Sequence, residues 1–128
     1  MIRAPADGPV SWTDRADAAE AVAVILVGDR AFDGPVTLTA RQAVTFDDFA
    51  AMASQISGRE VTRIVVDDEQ WIADKVAAGS PEAMARMTLT MFQAARERRF
   101  AGVSPLLAEL LGREPRSVVD QLGDSIAA

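Results

Sequence analysis

Apolar positions along the chain fall into short stretches of strand character separated by longer stretches with helical spacing. Pro9-Val10-Ser11-Trp12-Thr13 reads as a short strand. Asp14 to Val27 then reads as a helix, with Asp14, Asp17 and Glu20 near its positive N-terminal end. From Ala18 onward that helix is apolar nearly all round, so the pattern predicts that it is largely buried, against a sheet. Gly28 ends it, and 28–35 is a loop rich in turn formers. Pro35 to Ala40 carries β-branched residues and predicts a second strand.

Thr45 to Gly58 is the clearest helix in the pattern. Thr45 caps it, Asp48 stands three residues on as the capping box requires, and Gly58 fits the left-handed C-terminal position. Phe46, Phe49, Ala50, Ala53 and Ile56 form its apolar stripe. Glu60 to Val66 predicts a third strand. Asp67-Asp68-Glu69 opens a helix bearing Trp71, Ile72 and Val76, stopped by Gly79. Ser80-Pro81-Glu82 signals a new start, with Ser80 as N-cap and Pro81 at the first helical position. The helix that follows, to about Arg98, groups Met84, Met87, Thr88, Met91, Phe92 and Ala95 on one face. Ser104-Pro105 starts a short helix ending at Gly112, and Ser117 with Asp120 caps a last one. The expectation is an α/β chain (α+β by content). It has a small three-stranded sheet in β-α-β-α-β order and a helical C-terminal tail. One domain spans 1–128, its strand/helix part about 9–66 and its helical part about 67–128.

Composition narrows the setting. The chain has 128 residues, 49% hydrophobic and 25% charged, which suits one folded core rather than disorder. Its longest uninterrupted apolar stretch, Ala21 to Val27, is far short of the roughly 20 residues that span a bilayer. The N-terminus has no apolar core of signal-peptide length, and there is no cysteine, so a cytoplasmic location is expected. The net charge is −6 and the basic residues are scattered, the densest run being Arg96-Glu97-Arg98-Arg99 at a predicted helix end. A nucleic-acid partner is therefore not expected. Twelve arginines against the single lysine, Lys75, hint at a GC-rich bacterial genome.

Absent residue types exclude whole chemistries. Without His or Cys there is no histidine-based triad, no thiol nucleophile and no common zinc site. Without Tyr there is no Tyr-x-x-x-Lys acid apparatus. The eight glycines stand apart, and none has the spacing of a G-x-G-x-x-G or P-loop turn. The acidic pairs Asp47-Asp48 and Asp67-Asp68-Glu69 lie in first helical turns, where the dipole favours carboxylates; acid–base or metal work is the other reading. Asp14 and Asp17 share a helix start, as caps or as a pair on one face. The methionine stripe is core, or a surface for flat apolar ligands. Trp12 and Trp71 are core bodies or pocket walls.

Taken in order, four segments resemble the C-terminal part of NmrA-like atypical short-chain dehydrogenases, a branch that includes type-2 NAD(P)H:quinone reductases and triphenylmethane or azo-dye reductases. They are Val10–Leu26 (VSWTDRADAAEAVAVIL), Gly34–Val61, Ile64–Met87 and Met91–Leu122. The family's Asp-x-x-Asp-x-Ala helix start corresponds to Asp14 through Ala18. Its Leu-Thr strand and turn correspond to Val36–Thr45, and its A-x-x-x-S-x-x-x-G-R helix to Ala50 through Arg59. The family's Rossmann portion, with the glycine-rich loop, has no counterpart here.

The resemblance implies a substrate-binding domain of an NAD(P)H-dependent reductase acting on quinone-like or flat apolar molecules, with no catalytic residue of its own. The candidate substrate-binding positions are Trp12, Thr13, Trp71 and Met84. NAD(P)H is implied by the family, but no cofactor is expected on this chain alone, and no metal. Without a Rossmann sheet, the strand at Val10–Thr13 and an apolar face of the Ala18–Val27 helix would lie open to water. The expected partner is thus a second copy in a homodimer or a separate Rossmann-bearing chain. A non-catalytic ligand-sensing or protein-interaction module is the alternative reading.

Overall fold

In the computed structural model, which describes residues 1–127, β1 (Ile2–Ala4) precedes α1 (Arg15–Val27) and α2 (Phe46–Ser57). After β2 (Arg63–Val65) the rest is helical: α3 (Asp68–Ala77), α4 (Glu82–Arg96), α5 (Leu106–Leu111) and α6 (Val118–Ala127). The chain divides into two compact units, each assembled from two separate stretches. One comprises Met1–Val10 and Val44–Ala101, the other Ser11–Ala43 and Gly102–Ala128.

In the first unit, β1 and β2 pair in parallel with Ile2 opposite Arg63, Arg3 opposite Ile64 and Ala4 opposite Val65. Trp71 and Ile72 of α3 pack on Ala85 and Leu89 of α4, with Val66 and Phe92 at the margin of that core. Aromatic rings extend it. Trp71 meets Phe92 edge-on at 5.3 Å, Phe92 stacks on Phe46 at 5.8 Å, and Phe46 lies 5.7 Å from Phe49. The expected capping box on α2 is complete. The Asp48 amide donates to Thr45 Oγ1, and the Asp48 carboxylate accepts from the Thr45 amide at 2.7 Å.

In the second unit α1 packs on α5, where Leu107 and Ala108 are buried. Asp14 caps α1 by accepting from the Ala16 and Asp17 amides. Ser117 and Asp120 cap α6 by the same reciprocal bonds as Thr45 and Asp48.

The expected three-stranded β-α-β-α-β sheet is not formed; the described residues hold two named strands. Of the three strands expected, 60–66 contains β2. The stretch 9–13 contributes a single antiparallel bridge, Val10 with Val44, and 35–40 contributes none. Side-chain hydroxyls, not a ladder, hold 35–40. Thr13 Oγ1 lies 3.5 Å from the Leu38 carbonyl and accepts from the Ala40 amide at 3.3 Å, while Thr39 Oγ1 accepts from the Ser104 amide at 2.8 Å. Conversely, β1 carries no alternation to read: three residues with Arg3 at the centre become a strand because a segment some 60 positions away supplies the partner amides and carbonyls.

Two helix expectations are also corrected. Within α1, Asp17 and Ala21 are buried, while Val22, Val24, Leu26 and Val27 are exposed. The helix uses a narrow stripe against α5 and does not pack on a sheet. On α4 the buried positions are Ala85, Leu89 and Ala95, whereas Met84, Met87 and Met91 are 52%, 59% and 56% exposed. The helix has apolar residues on two sides, and packing against Trp71 selects the alanine–leucine side. Its start differs too: Pro81 is the N-cap, and no side chain caps it.

Candidate functional site

The four candidate positions fall in both units. Trp12 and Thr13 belong to one, Trp71 and Met84 to the other. Trp12 is partly exposed, on the irregular segment just before α1. Thr13 is occupied locally, its hydroxyl within 3.3 Å of the Ser11 carbonyl and accepting from the Ala40 amide. Trp71 is only 5% exposed, inside the core cluster, with the Lys75 ammonium 5.4 Å from its ring centroid. Met84 stands on the exposed face of α4 with Met87 and Met91. Three unbranched thioether side chains on one helix face make a deformable apolar surface.

The acidic pairs are structural in their local bonding. Asp67 caps α3 by accepting from the Glu69 amide at 3.0 Å, and Asp68 accepts from Arg96 and Gln93. Glu69 pairs with Arg86 at 3.3 Å. Asp47 pairs with Arg63 at 2.9 Å, and Asp48 closes the box with Thr45. The Arg96 hydrogen bond holds the Asp68 carboxyl below the ordinary carboxylate range. Bonds from Thr45, its backbone amide foremost, do the same for Asp48. The Gln70 amide and then Arg3 lower Asp74, and Ser117 lowers Asp120. Every carboxyl with a resolved displacement is pushed toward its charged form, the opposite of what a general acid near neutrality needs. Among the described residues, no group of three or more acidic side chains is disposed to hold a metal. No helix among them is long and apolar enough to cross a membrane.

Two buried ionic contacts were not legible as such in the sequence. Asp17 is 1% exposed, and its carboxylate accepts from Arg113 at 2.8 Å and from the Arg116 amide at 2.6 Å. The signal was its position: Asp17 is one turn before Ala21, in phase with the buried stripe of α1. Arg63 lies beside Asp7 at 2.6 Å with both side chains nearly inaccessible, reaches Asp47, and donates to the Pro5 carbonyl at 3.1 Å. Together with Arg96, which donates to the Ala6 carbonyl, it fixes the turn after β1.

Glycine-rich cradles are likewise not built. Gly58 and Gly112 adopt left-handed conformations at the C-terminal ends of α2 and α5, and Gly79 has positive φ just after α3. None precedes a helix in a tight glycine turn, so these residues do not fit a dinucleotide diphosphate.

No family model matches the chain. An NmrA-like family domain-containing oxidoreductase (flvB) of Aspergillus flavus is 23% identical over 128 residues, 95% of this chain and 42% of that protein. Among solved structures, the triphenylmethane reductase of a Citrobacter species superposes with a TM-score of 0.88 at 25% identity, covering 99% of this chain and 44% of the reductase. The NADPH-dependent quinone oxidoreductase QOR2 of Escherichia coli superposes with a TM-score of 0.86 at 22% identity, covering 95% of this chain and 45% of QOR2. The Citrobacter enzyme has been solved in complex with NADP(H), and QOR2 with NADPH. The chain thus spans less than half the length of each of these three relatives. The resemblance to the C-terminal part of NmrA-like reductases, drawn from its ordered segments, is borne out over nearly the whole chain.

Proposed function

We propose that this chain is a substrate-binding part of an NAD(P)H-dependent reductase for quinone-like or other flat apolar molecules. The observation that carries it is the superposition on triphenylmethane reductase over 99% of this chain at a TM-score of 0.88. The exposed methionines of α4 support the substrate class, because thioethers pack adaptably on aromatic faces. Trp12 and Thr13 in one unit and Met84 in the other are separate proposed contact positions. Trp71 supports the Met84-bearing helix from within the core of its own unit.

In this role the chain contributes shape and exclusion of water, not a proton. Asp48, Asp68, Asp74 and Asp120 are held toward their charged form, and the chain has no His, Cys or Tyr. NAD(P)H supplies hydride in reductases of this kind. The glycines here do not fit its diphosphate, so the cofactor in this reading is held by a dinucleotide-binding part outside these 128 residues.

Titration of the purified chain with 2-methyl-1,4-naphthoquinone and, separately, with NADPH tests the reading, followed by Trp12 and Trp71 fluorescence and by calorimetry. Saturable binding of the quinone without binding of NADPH is expected. Failure of the quinone to bind at its solubility limit overturns it, and tight NADPH binding by this chain overturns the division of labour.

A further inference from the structure

We propose that the segment from Arg113 through α6 is a strap, fastened by charge to the start of α1, that opens as one piece while the rest of its unit stays folded. The fastening is polar. Asp17, enclosed in the fold, accepts through Oδ1 from the Arg113 guanidinium at 2.8 Å and through Oδ2 from the Arg116 amide at 2.6 Å. Asp14 accepts from the Gln121 side-chain amide at 3.0 Å. Glu20 pairs with Arg113, and Arg41 with Glu114, each at 2.7 Å. Apolar burial adds little, since no residue described in 113–125 is buried and Val118 and Leu122 are only half-buried.

Opening is local because the rest of the unit does not depend on these bonds. Asp14 caps α1 through Oδ1, which accepts from the Ala16 and Asp17 amides, and gives Gln121 only its Oδ2. The helix stays packed on α5 through Ala21, Leu107 and Ala108. Gly112, left-handed at the end of α5, supplies a hinge directly before Arg113. Deleting a partner of a buried carboxylate strands its charge, but lifting the strap does not. The residues that bond Asp17 also cover it, so its carboxylate returns to water as they leave. Each state therefore satisfies its charges. The lifted α6, 10 residues long, is too short to persist alone despite its Ser117–Asp120 cap, so its amides exchange whenever the strap opens.

Hydrogen exchange of the full chain, resolved by mass spectrometry, tests this. Amides of α6 should exchange roughly tenfold or more faster than those of α1 and α5. Asp17→Asn keeps an acceptor for the Arg116 amide but discards the charge that holds Arg113. It should speed exchange in α6 by roughly a further tenfold while leaving α3 and α4 unchanged. If Asp17→Asn unfolds its unit, the paired substitution Arg113→Gln and Gln121→Ala, both at exposed residues, makes the same test from the strap side. An α6 that exchanges no faster than α5 in the wild-type chain overturns the proposal. So does an α6 whose exchange ignores both variants, or one that quickens only in step with α1 and α5.

Discussion

The Arg63 guanidinium lies 2.6 Å from the Asp7 carboxylate, with both side chains withdrawn from water. The contact is an ion pair without hydrogen-bond geometry. Asp7 uses its other oxygen to accept from the Phe46 amide at 3.1 Å, and Arg63 Nε has no hydrogen-bond partner. One carboxylate therefore serves β2 and the first turn of α2 together. Removing it leaves a buried guanidinium with only Asp47 and the Pro5 carbonyl, so Asp7→Ala should cost about 3 kcal/mol. Asp7→Asn, which keeps an acceptor for Phe46, should cost less. Urea unfolding followed by tryptophan fluorescence measures both; equal losses would show that the acceptor for Phe46 has no part in it, and an Asp7→Asn loss near zero would show that the charge has none.

Gly8 is required by space. A Cβ there would lie 2.0 Å from the Ala95 carbonyl oxygen, which is backbone and cannot swing aside. Gly8→Ala should therefore destabilise by about 2 kcal/mol or more through displacement of the turn from α4. Gly34→Ala meets nothing within 4 Å and should be neutral or slightly stabilising. Thermal melts of the two variants side by side would contradict this if their order were reversed.

Acid sensitivity has a definite sign. Asp48, Asp68 and Asp120 are held below the usual carboxylate pKa in the folded chain. Their contributions are complete above the unfolded value near 4 and disappear as pH falls through the lower folded values. Thr45→Ala keeps the backbone amide but deletes the hydroxyl bond, the second cause of the Asp48 displacement, together with a helix cap, at a cost of about 1 kcal/mol at neutral pH. The gap between wild type and Thr45→Ala should narrow below pH 4, as protonated Asp48 no longer holds the box. Melting temperatures across pH 2–7 report it; a gap that widens on acidification would refute the assignment.

Trp71 and Met84 should separate stability from binding. Trp71→Ala empties the α3–α4 core and should cost about 3–5 kcal/mol. Met84→Ala removes an exposed side chain and should leave the melting temperature nearly unchanged while weakening naphthoquinone binding several-fold. A Met84→Ala chain that binds the quinone as well as wild type removes that residue from the proposed contact surface.

Elements that rest on local chemistry were legible in the residues. Among the described residues each helix falls in a stretch of helical spacing, and most ends follow their capping signals, because Thr45 with Asp48, Asp67, Ser117 with Asp120, and the glycines at 58 and 112 act within one turn of their own positions; α4 alone starts without its expected Ser80 cap. The resemblance to a reductase part was legible as well, since it is carried by ordered short segments. Which of them forms a site was not, because a residue's role as wall or core depends on what faces it. Trp71 and Met84 show this, one enclosed by Leu89 and Phe92 and the other turned to water.

By itself, then, the chain's residue order determined its helices and most of their ends, the absence of thiol, imidazole and phenol chemistry, and its resemblance to part of a reductase. Tertiary structure alone decided the pairing of the sheet, because the parallel match of Ile2–Ala4 with Arg63–Val65 depends on hydrogen bonds between distant segments and leaves no periodic trace in Ile2–Ala4. It also decided which side of α1 and α4 is buried. Both helices carry apolar residues on more than one face, and a helix with two candidate faces is oriented by the side chains that meet it.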